Sequence, residues 1–233
     1  MPYGYYGYYF DPTYILIIIA AIISLIAQWR VNSAFSKYSR VASMSGMTGA
    51  QAARMILQSN GINDVSVQRI SGKLTDHYNP STKVLNLSES VYGSTSVAAI
   101  GVAAHECGHA RGYFPLSLRT ALVPVANIGS QLSWVFIIVG AILSFNQTLI
   151  TIGIIMFSAA VLFQLVTLPV EFNASARALE QLESNGILYR DEVSQTRKVL
   201  SAAALTYVAA AATAILQLLR LIILFGGRGR RDD

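Results

Sequence analysis

The sequence predicts a mainly α membrane protein, with about four transmembrane helices and a small α+β unit built round a short sheet. Three observations predict it. Of 233 residues, 53% are hydrophobic and only 12% are charged, against about 25% charged in a soluble domain. Mean hydropathy is +0.48. The apolar residues gather into four stretches, and a polar segment of mixed periodicity lies between the first and the second.

The first stretch, Tyr14 to Trp29, is nearly pure Ile, Leu and Ala. It is short for a span. Asp11 or Thr13 is placed to cap it, and Tyr8, Tyr9 and Phe10 stand where interfacial aromatic residues belong. No Lys or Arg precedes Arg30, which favours a signal-anchor helix over a cleaved signal peptide. The Tyr-Gly run over residues 3–9 reads as an interfacial aromatic belt.

Ala121 to Phe145 is the second expected span. Pro124, Asn127, Ser130 and Gln131 in its first half point that half toward protein or a cavity rather than lipid. Asn146-Gln147 reads as a polar turn. Leu149 to Val170 follows as the third span, roughly 33 Å of helix at 1.5 Å per residue. Ala202 to Phe225 is the fourth, with Arg220 placed to snorkel.

Orientation follows from basic residues near the span ends. Arg30, Lys37 and Arg40 come after the first span and none before it. That expectation puts the N-terminus outside and residues 31–120 in the cytoplasm. A hairpin over 121–170 returns 171–201 to the same side, in agreement with Arg177, Arg190, Arg197 and Lys198. The fourth span places Arg228, Arg230 and Arg231 outside, against the rule, and Asp232 and Asp233 do not offset them. Whether this helix fully crosses stays open. The expected organisation is thus a tail and signal-anchor helix over 1–30, an aqueous unit over 31–120, and the hairpin over 121–170. A cytoplasmic helix over 171–201 and a C-terminal membrane helix with a basic tail over 202–233 complete it. Net charge is +5. Here it reports orientation in a bilayer and not nucleic-acid binding.

Within the aqueous unit, Thr48 to Asn60 reads as an amphipathic helix. Thr48 and Gln51 have capping-box spacing, and Gly61 ends the helix. Val65 to Ile70 alternates as a half-buried strand does. Leu74 to Tyr78 and Lys83 to Leu87 are further candidate strands, with a turn at Asn79-Pro80-Ser81-Thr82. An edge of this sheet, over Gly72 to Asn79, is suited to hold an extended peptide by backbone hydrogen bonds. Ser96 to Ala110 is Ala-rich and helix-forming, with Gly112 and Pro115 as stop signals.

That last helix carries His105-Glu106-Cys107-Gly108-His109. With 3 His and 12 Asp+Glu in the whole chain, chance rarely places His, an acid and His in this pattern. Positions i and i+4 share a helix face, so the two imidazoles reach one ion. Glu106 lies about 100° round the helix, which suits a carboxylate that works on the attacking water rather than on the metal. The competing reading is a hydrogen-bonded pair of core histidines. Cys107, the one cysteine, excludes an intramolecular disulfide. At i+2 it points away from both histidines and reads as a packed neutral thiol.

A catalytic zinc needs three protein ligands and one open position. His77 is the only other histidine; otherwise the third ligand is a carboxylate. It must lie on the same side of the membrane as His105 and His109, so an even number of spans must intervene. Two spans lie between His109 and Glu171, which stands beside Pro169 at the end of the third. The plain alternative is a charge capping a helix that starts near Pro169. Glu180 and Glu183 read as solvated helix charges.

Ala104 to Ala110, taken with Glu171-Phe172-Asn173-Ala174-Ser175-Ala176-Arg177-Ala178, resembles the gluzincin pattern of HtpX-type and CAAX-prenyl-type membrane proteases. The Asp76-His77-Tyr78 stretch, the Val91-Tyr92 pair and the span layout resemble more closely the neutral zinc metallopeptidases of bacterial membranes, the YugP type, over nearly the full length. The resemblance implies a zincin-like catalytic unit with one Zn2+ per chain, held by His105, His109 and Glu171, and Glu106 as general base. Many gluzincins place an Asp four residues after the ligand Glu, bonded to the first histidine. Here that position is Ser175, which brings no charge.

The chemistry then expected is metallopeptidase hydrolysis of peptide bonds, with Glu106 passing the water's proton to the leaving amine. His77, Tyr78, Tyr92, Arg177 and Tyr189 are the candidates for stabilising the oxyanion. The expected substrate is a polypeptide, membrane-bound or juxtamembrane, beside the lipid bilayer. An intramembrane protease is disfavoured, because the apolar run before His105 is far below the ~20 residues needed to cross. A zinc-binding scaffold or chaperone-like protein without peptidase activity is the main rival. The sequence leaves the oligomeric state open.

Overall fold

The computed structural model describes residues 11–110 and 114–226, apart from the side chains of 114–125. The expected belt at Tyr8 to Phe10, the Tyr-Gly run, the stop signal at Gly112 and the basic tail lie outside the described residues.

Seven helices and three strands follow one another along the described chain. The order is α1 (Tyr14–Tyr38), α2 (Gly49–Ser59), β1 (Ser66–Ile70), β2 (His77–Asn79), β3 (Val84–Ser88) and α3 (Glu89–Tyr92). Then come α4 (Val97–Ala110), α5 (Phe114–Ile142), α6 (Gln147–Ser184) and α7 (Arg190–Phe225). By length and composition α1, α6 and α7 are apolar enough to cross a membrane. The expected second span is represented by a shorter apolar stretch, Ala126–Ile142, in α5. There Asn127 and Gln131 are exposed, not turned inward. Ser133 does face inward and donates to Ser130 O at 2.6 Å.

The long helices do not stop where the sequence suggested. α6 runs without a break through Pro169, so no helix starts there and the 170/171 division falls inside one helix. Membrane helices tolerate such a proline because neighbouring groups satisfy the freed carbonyl. α7 likewise carries the expected fourth span and the polar residues before it on one axis. The described part of α4 ends at Ala110, and Pro115 lies beyond it. It sits in the first turn of α5, where its missing N–H is not needed.

α1 and α7 pack antiparallel. Ser24 Oγ lies 3.1 Å from Thr213 Oγ1, and Arg220 donates from Nε to Thr13 Oγ1 at 3.2 Å. Its Nη2 lies 3.5 Å from Asp11 Oδ2, and its guanidinium stacks on the Tyr14 ring at 4.8 Å. Arg220 is therefore tied to the start of α1.

The polar segment folds against the ends of these helices. Thr48 and Gln51 form the expected reciprocal capping box on α2. The sheet order is β1-β3-β2, with β1 parallel and β2 antiparallel to β3. β2 is shorter and later than the strand expected from Leu74. Leu74 has φ 57°, which breaks extension. The Asp76 carboxylate takes up Ser88 N–H at 2.7 Å and its hydroxyl at 2.9 Å, replacing a ladder bond with a side-chain one. The turn at 79–82 forms as expected, with Asn79 Oδ1 accepting from Ser81 and Thr82 N–H.

One apolar core joins all of this. Leu85 and Leu87 of β3, Ala52, Ala53 and Ile56 of α2, and Ile100 and Ala103 of α4 are buried with Leu182 of α6 and Val199 of α7. The two long helices thus end inside the core of the polar unit, so the unit and the membrane-type helices are mechanically continuous.

Candidate metal centre

The centre forms where α4 crosses α6. His105 and His109 sit one turn apart on α4, with their Nε2 atoms 3.2 Å apart. Glu171 projects from α6, and its Oε2 lies 3.4 Å from His105 Nε2 and 3.5 Å from His109 Nε2. Glu171 is about 36 Å along α6 from its first residue at 1.5 Å per residue, just beyond the ~30 Å thickness of a bilayer core.

Two further contacts set this geometry. A Cβ on Gly108 would stand 2.8 Å from Ala174 O, so the glycine lets α4 and α6 approach to ligand distance. Ser175, one turn after Glu171, places Oγ 3.1 Å from His105 Nδ1. That contact leaves Nε2 directed at the other two donor atoms.

The donor set fits a single metal ion. Three ligand atoms bonded at about 2.0–2.1 Å in a tetrahedron lie about 3.3 Å from one another, close to the three distances found. Glu171 is only 2% exposed, and no hydrogen bond from the described protein reaches its Oε2. His105, His109 and Glu171 are the group able to hold a metal ion among the described residues.

Glu106 stands beside this group and not in it. Its Oε2 accepts the Tyr78 backbone N–H at 3.1 Å. Tyr78 lies on β2, an edge strand, so the N–H points away from β3. Burial, then the Asp64 charge, push the Tyr78 phenol above its ordinary range. The Tyr78 group that meets Glu106 is its main-chain N–H. Burial also raises the Asp76 carboxyl, Ser88 partly offsets this, and the nearby Glu106 charge adds to the rise. Cys107 is buried, with Sγ 3.6 Å from Ala53 O. Burial pushes its thiol well up, as expected of a packed neutral thiol.

The other candidates are placed elsewhere. His77 is engaged within the sheet, Nδ1 facing Thr75 O at 2.9 Å and Nε2 facing Asn86 Nδ2 at 3.1 Å. The Tyr92 hydroxyl accepts from Arg54 at 2.9 Å. Tyr189 is exposed at the start of α7. Arg177, two residues past Ser175, is turned about 200° from it round α6. The sequence did not reveal Gly108 as the point of helix contact, nor Asp76 as the clamp that holds β2 beside Glu106.

Two imidazoles and a buried carboxylate, with a second carboxylate alongside, form a group able to hold a metal ion in a chain with three helices long and apolar enough to cross a membrane. The chain belongs to the family described as "Putative neutral zinc metallopeptidase", whose model matches residues 13–226. It is 49% identical over 217 residues to the "Putative membrane protease YugP" of Bacillus subtilis (strain 168), covering 91% of this chain and 96% of that protein. No solved structure matches the chain.

Proposed function

We propose that this protein is a membrane-embedded zinc metalloendopeptidase that hydrolyses peptide bonds at the cytoplasmic membrane surface. The observation that carries the reading is the convergence of His105, His109 and Glu171 at 3.2–3.5 Å with Glu106 next to them. These three residues would hold Zn2+. When bound, zinc supplies Lewis acidity, polarising the scissile carbonyl and making water a stronger acid.

The chain's own groups do the rest. Glu106 is held through Oε2 by the Tyr78 N–H, which leaves Oε1 to take the water's proton and pass it to the leaving amine. The outer edge of β2 runs past Glu106 and offers backbone groups to an extended polypeptide. Glu171 follows directly on the apolar part of α6, which favours membrane-bound or juxtamembrane substrates. The basic residues at the inner ends of α1 and α7 support the cytoplasmic placement.

The test is purification in detergent, metal analysis and an assay on unfolded polypeptide. About one zinc per chain is expected. His105→Ala loses the metal. Glu106→Gln keeps it and loses cleavage by about a hundred- to ten-thousand-fold. Cleavage by Glu106→Gln at the wild-type rate would overturn the reading of this site as the peptidase centre, and a zinc-loaded wild type that cleaves nothing would leave a zinc-binding scaffold.

A further inference from the structure

The two ends of the α1–α7 pair treat their cations differently. At one end Arg220 is matched with Asp11 and Thr13. At the other, α1 and α7 enclose a groove of about 470 Å³ that collects Arg30 and Lys37 from α1 and Arg197 and Lys198 from α7. All four side chains are exposed. No acidic residue lines the groove, and among the described residues none of the four is ion-paired. Four cations round one hollow repel each other unless an anion sits among them.

The groove's position says where that anion comes from. Arg30 follows directly on the apolar stretch of α1, and Trp29, 68% exposed, borders the groove with Leu205. A tryptophan and a leucine on one side and a ring of cations on the other match the boundary between acyl chain and headgroup. A free anion has no use for the apolar wall, whereas a lipid uses both halves. Ser33 and Ser201 add hydroxyl donors inside the hollow. We infer that the groove between α1 and α7 is a binding site for the phosphate headgroup of an anionic phospholipid. The site is separate from the metal centre and does not depend on the peptidase reading. Arg197 also borders the neighbouring groove between α6 and α7, which contains Ser175, so an occupied headgroup site lies one helix face from a residue bonded to His105.

Trp29 is a built-in reporter. Trp134→Phe leaves it as the only tryptophan. The full chain is reconstituted in phosphatidylcholine vesicles containing, at equal mole fraction, either brominated phosphatidylglycerol or brominated phosphatidylcholine. The expected result is excess quenching of Trp29 by the anionic lipid, equivalent to at least about fivefold enrichment, the factor one basic residue supplies near a membrane surface. The excess should vanish when Arg30, Lys37, Arg197 and Lys198 are all changed to Gln. It should persist when Arg40, Arg69, Lys83 and Arg190, which lie elsewhere, are changed instead. Millimolar inorganic phosphate at constant ionic strength should leave it intact. Equal quenching by the two lipids in the unsubstituted groove overturns the proposal, even if the fourfold variant does not reconstitute. So does an excess that survives in that variant or is lost in the control. Loss of the excess to inorganic phosphate makes this a free-phosphate site. Quenching by neither lipid takes Trp29 out of the bilayer and removes the premise, without touching the metal-centre reading.

Discussion

Ser175 Oγ lies 3.1 Å from His105 Nδ1, on the face of α6 that also carries Glu171. The pairing fixes which imidazole nitrogen is free for a metal. With Nε2 facing His109 and Glu171, a metal held on Nε2 would put the ring proton on Nδ1, to be donated to Ser175 Oγ. One turn of α6 would therefore supply both a ligand and the group that orients another ligand.

Ser175→Ala should weaken zinc binding by about 10- to 100-fold, the usual cost of losing a partner behind a metal-bound histidine. Ser175→Asp should bind zinc at least as tightly as the native protein, because a carboxylate orients the same ring and adds charge. Competition with a chromophoric chelator measures both. Wild-type affinity in Ser175→Ala would show that the 3.1 Å contact does not hold the ring.

Gly108→Ala should reduce metal binding without altering any ligand. The new methyl meets Ala174 O at 2.8 Å, and backbone on a packed helix has little room to yield. The expected cost is about 1–3 kcal/mol of overpacking, spent in separating α4 from α6. Gly101→Ala is the comparison. Its methyl meets Thr196 Cγ2, at 2.4 Å, on α7 instead. It should lower thermal stability while leaving zinc per folded chain nearer to normal. Equal zinc content in Gly108→Ala and wild type sinks the idea that this crossing sets the ligand distance.

These cases show which parts were legible in the sequence. The α2 capping box was, because Thr48 and Gln51 are three residues apart and interact locally. The pairing of His105 with His109 was, because helix geometry alone puts them on one face. Glu171 was expected from a count of four spans, of which three are matched by described helices long and apolar enough to cross; its place beside the two histidines comes from the packing of α4 on α6. The true start of β2 was not, because it depends on Asp76 reaching Ser88 across the sheet. The run of α6 through Pro169 was not, because packing from neighbouring helices offsets a local break. Gly108 sits between ligands in the motif, and only the crossing of α4 over α6 shows what it does.

Glu192 should prove a stability determinant rather than a site residue. It is buried near the start of α7. Its Oε1 accepts Met44 N–H at 2.7 Å and its Oε2 accepts Tyr189 N–H at 2.8 Å, so one carboxylate ties the loop after α1 to α7. Glu192→Ala leaves two backbone donors without that acceptor and should cost about 2–3 kcal/mol. Glu192→Gln keeps one acceptor and should cost less. Denaturant unfolding in detergent gives both values. A Glu192→Ala protein as stable as wild type would mean that water replaces the carboxylate freely.

Asp76 should give the fold a pH dependence of unusual sign. Its carboxyl is raised above the ordinary 3.8 mainly by burial, with the Glu106 charge contributing and Ser88 opposing. A carboxyl that holds its proton more tightly when folded has no differential effect below pH 3.8, where both states are protonated. As pH rises, the unfolded chain ionises first, so the folded state loses relative stability until the raised folded value is passed. Asp76→Asn removes the charge and keeps an acceptor for Ser88 N–H, while the Ser88 hydroxyl is free to turn and accept from the new amide. The variant should therefore match wild type in acid and melt higher at neutral pH, with the gap opening as pH climbs past 3.8. Parallel melting curves in detergent across that range decide it. A gap that is constant with pH would mean that the Asp76 charge is fully met by Ser88, and that β2 is held beside Glu106 without electrostatic strain.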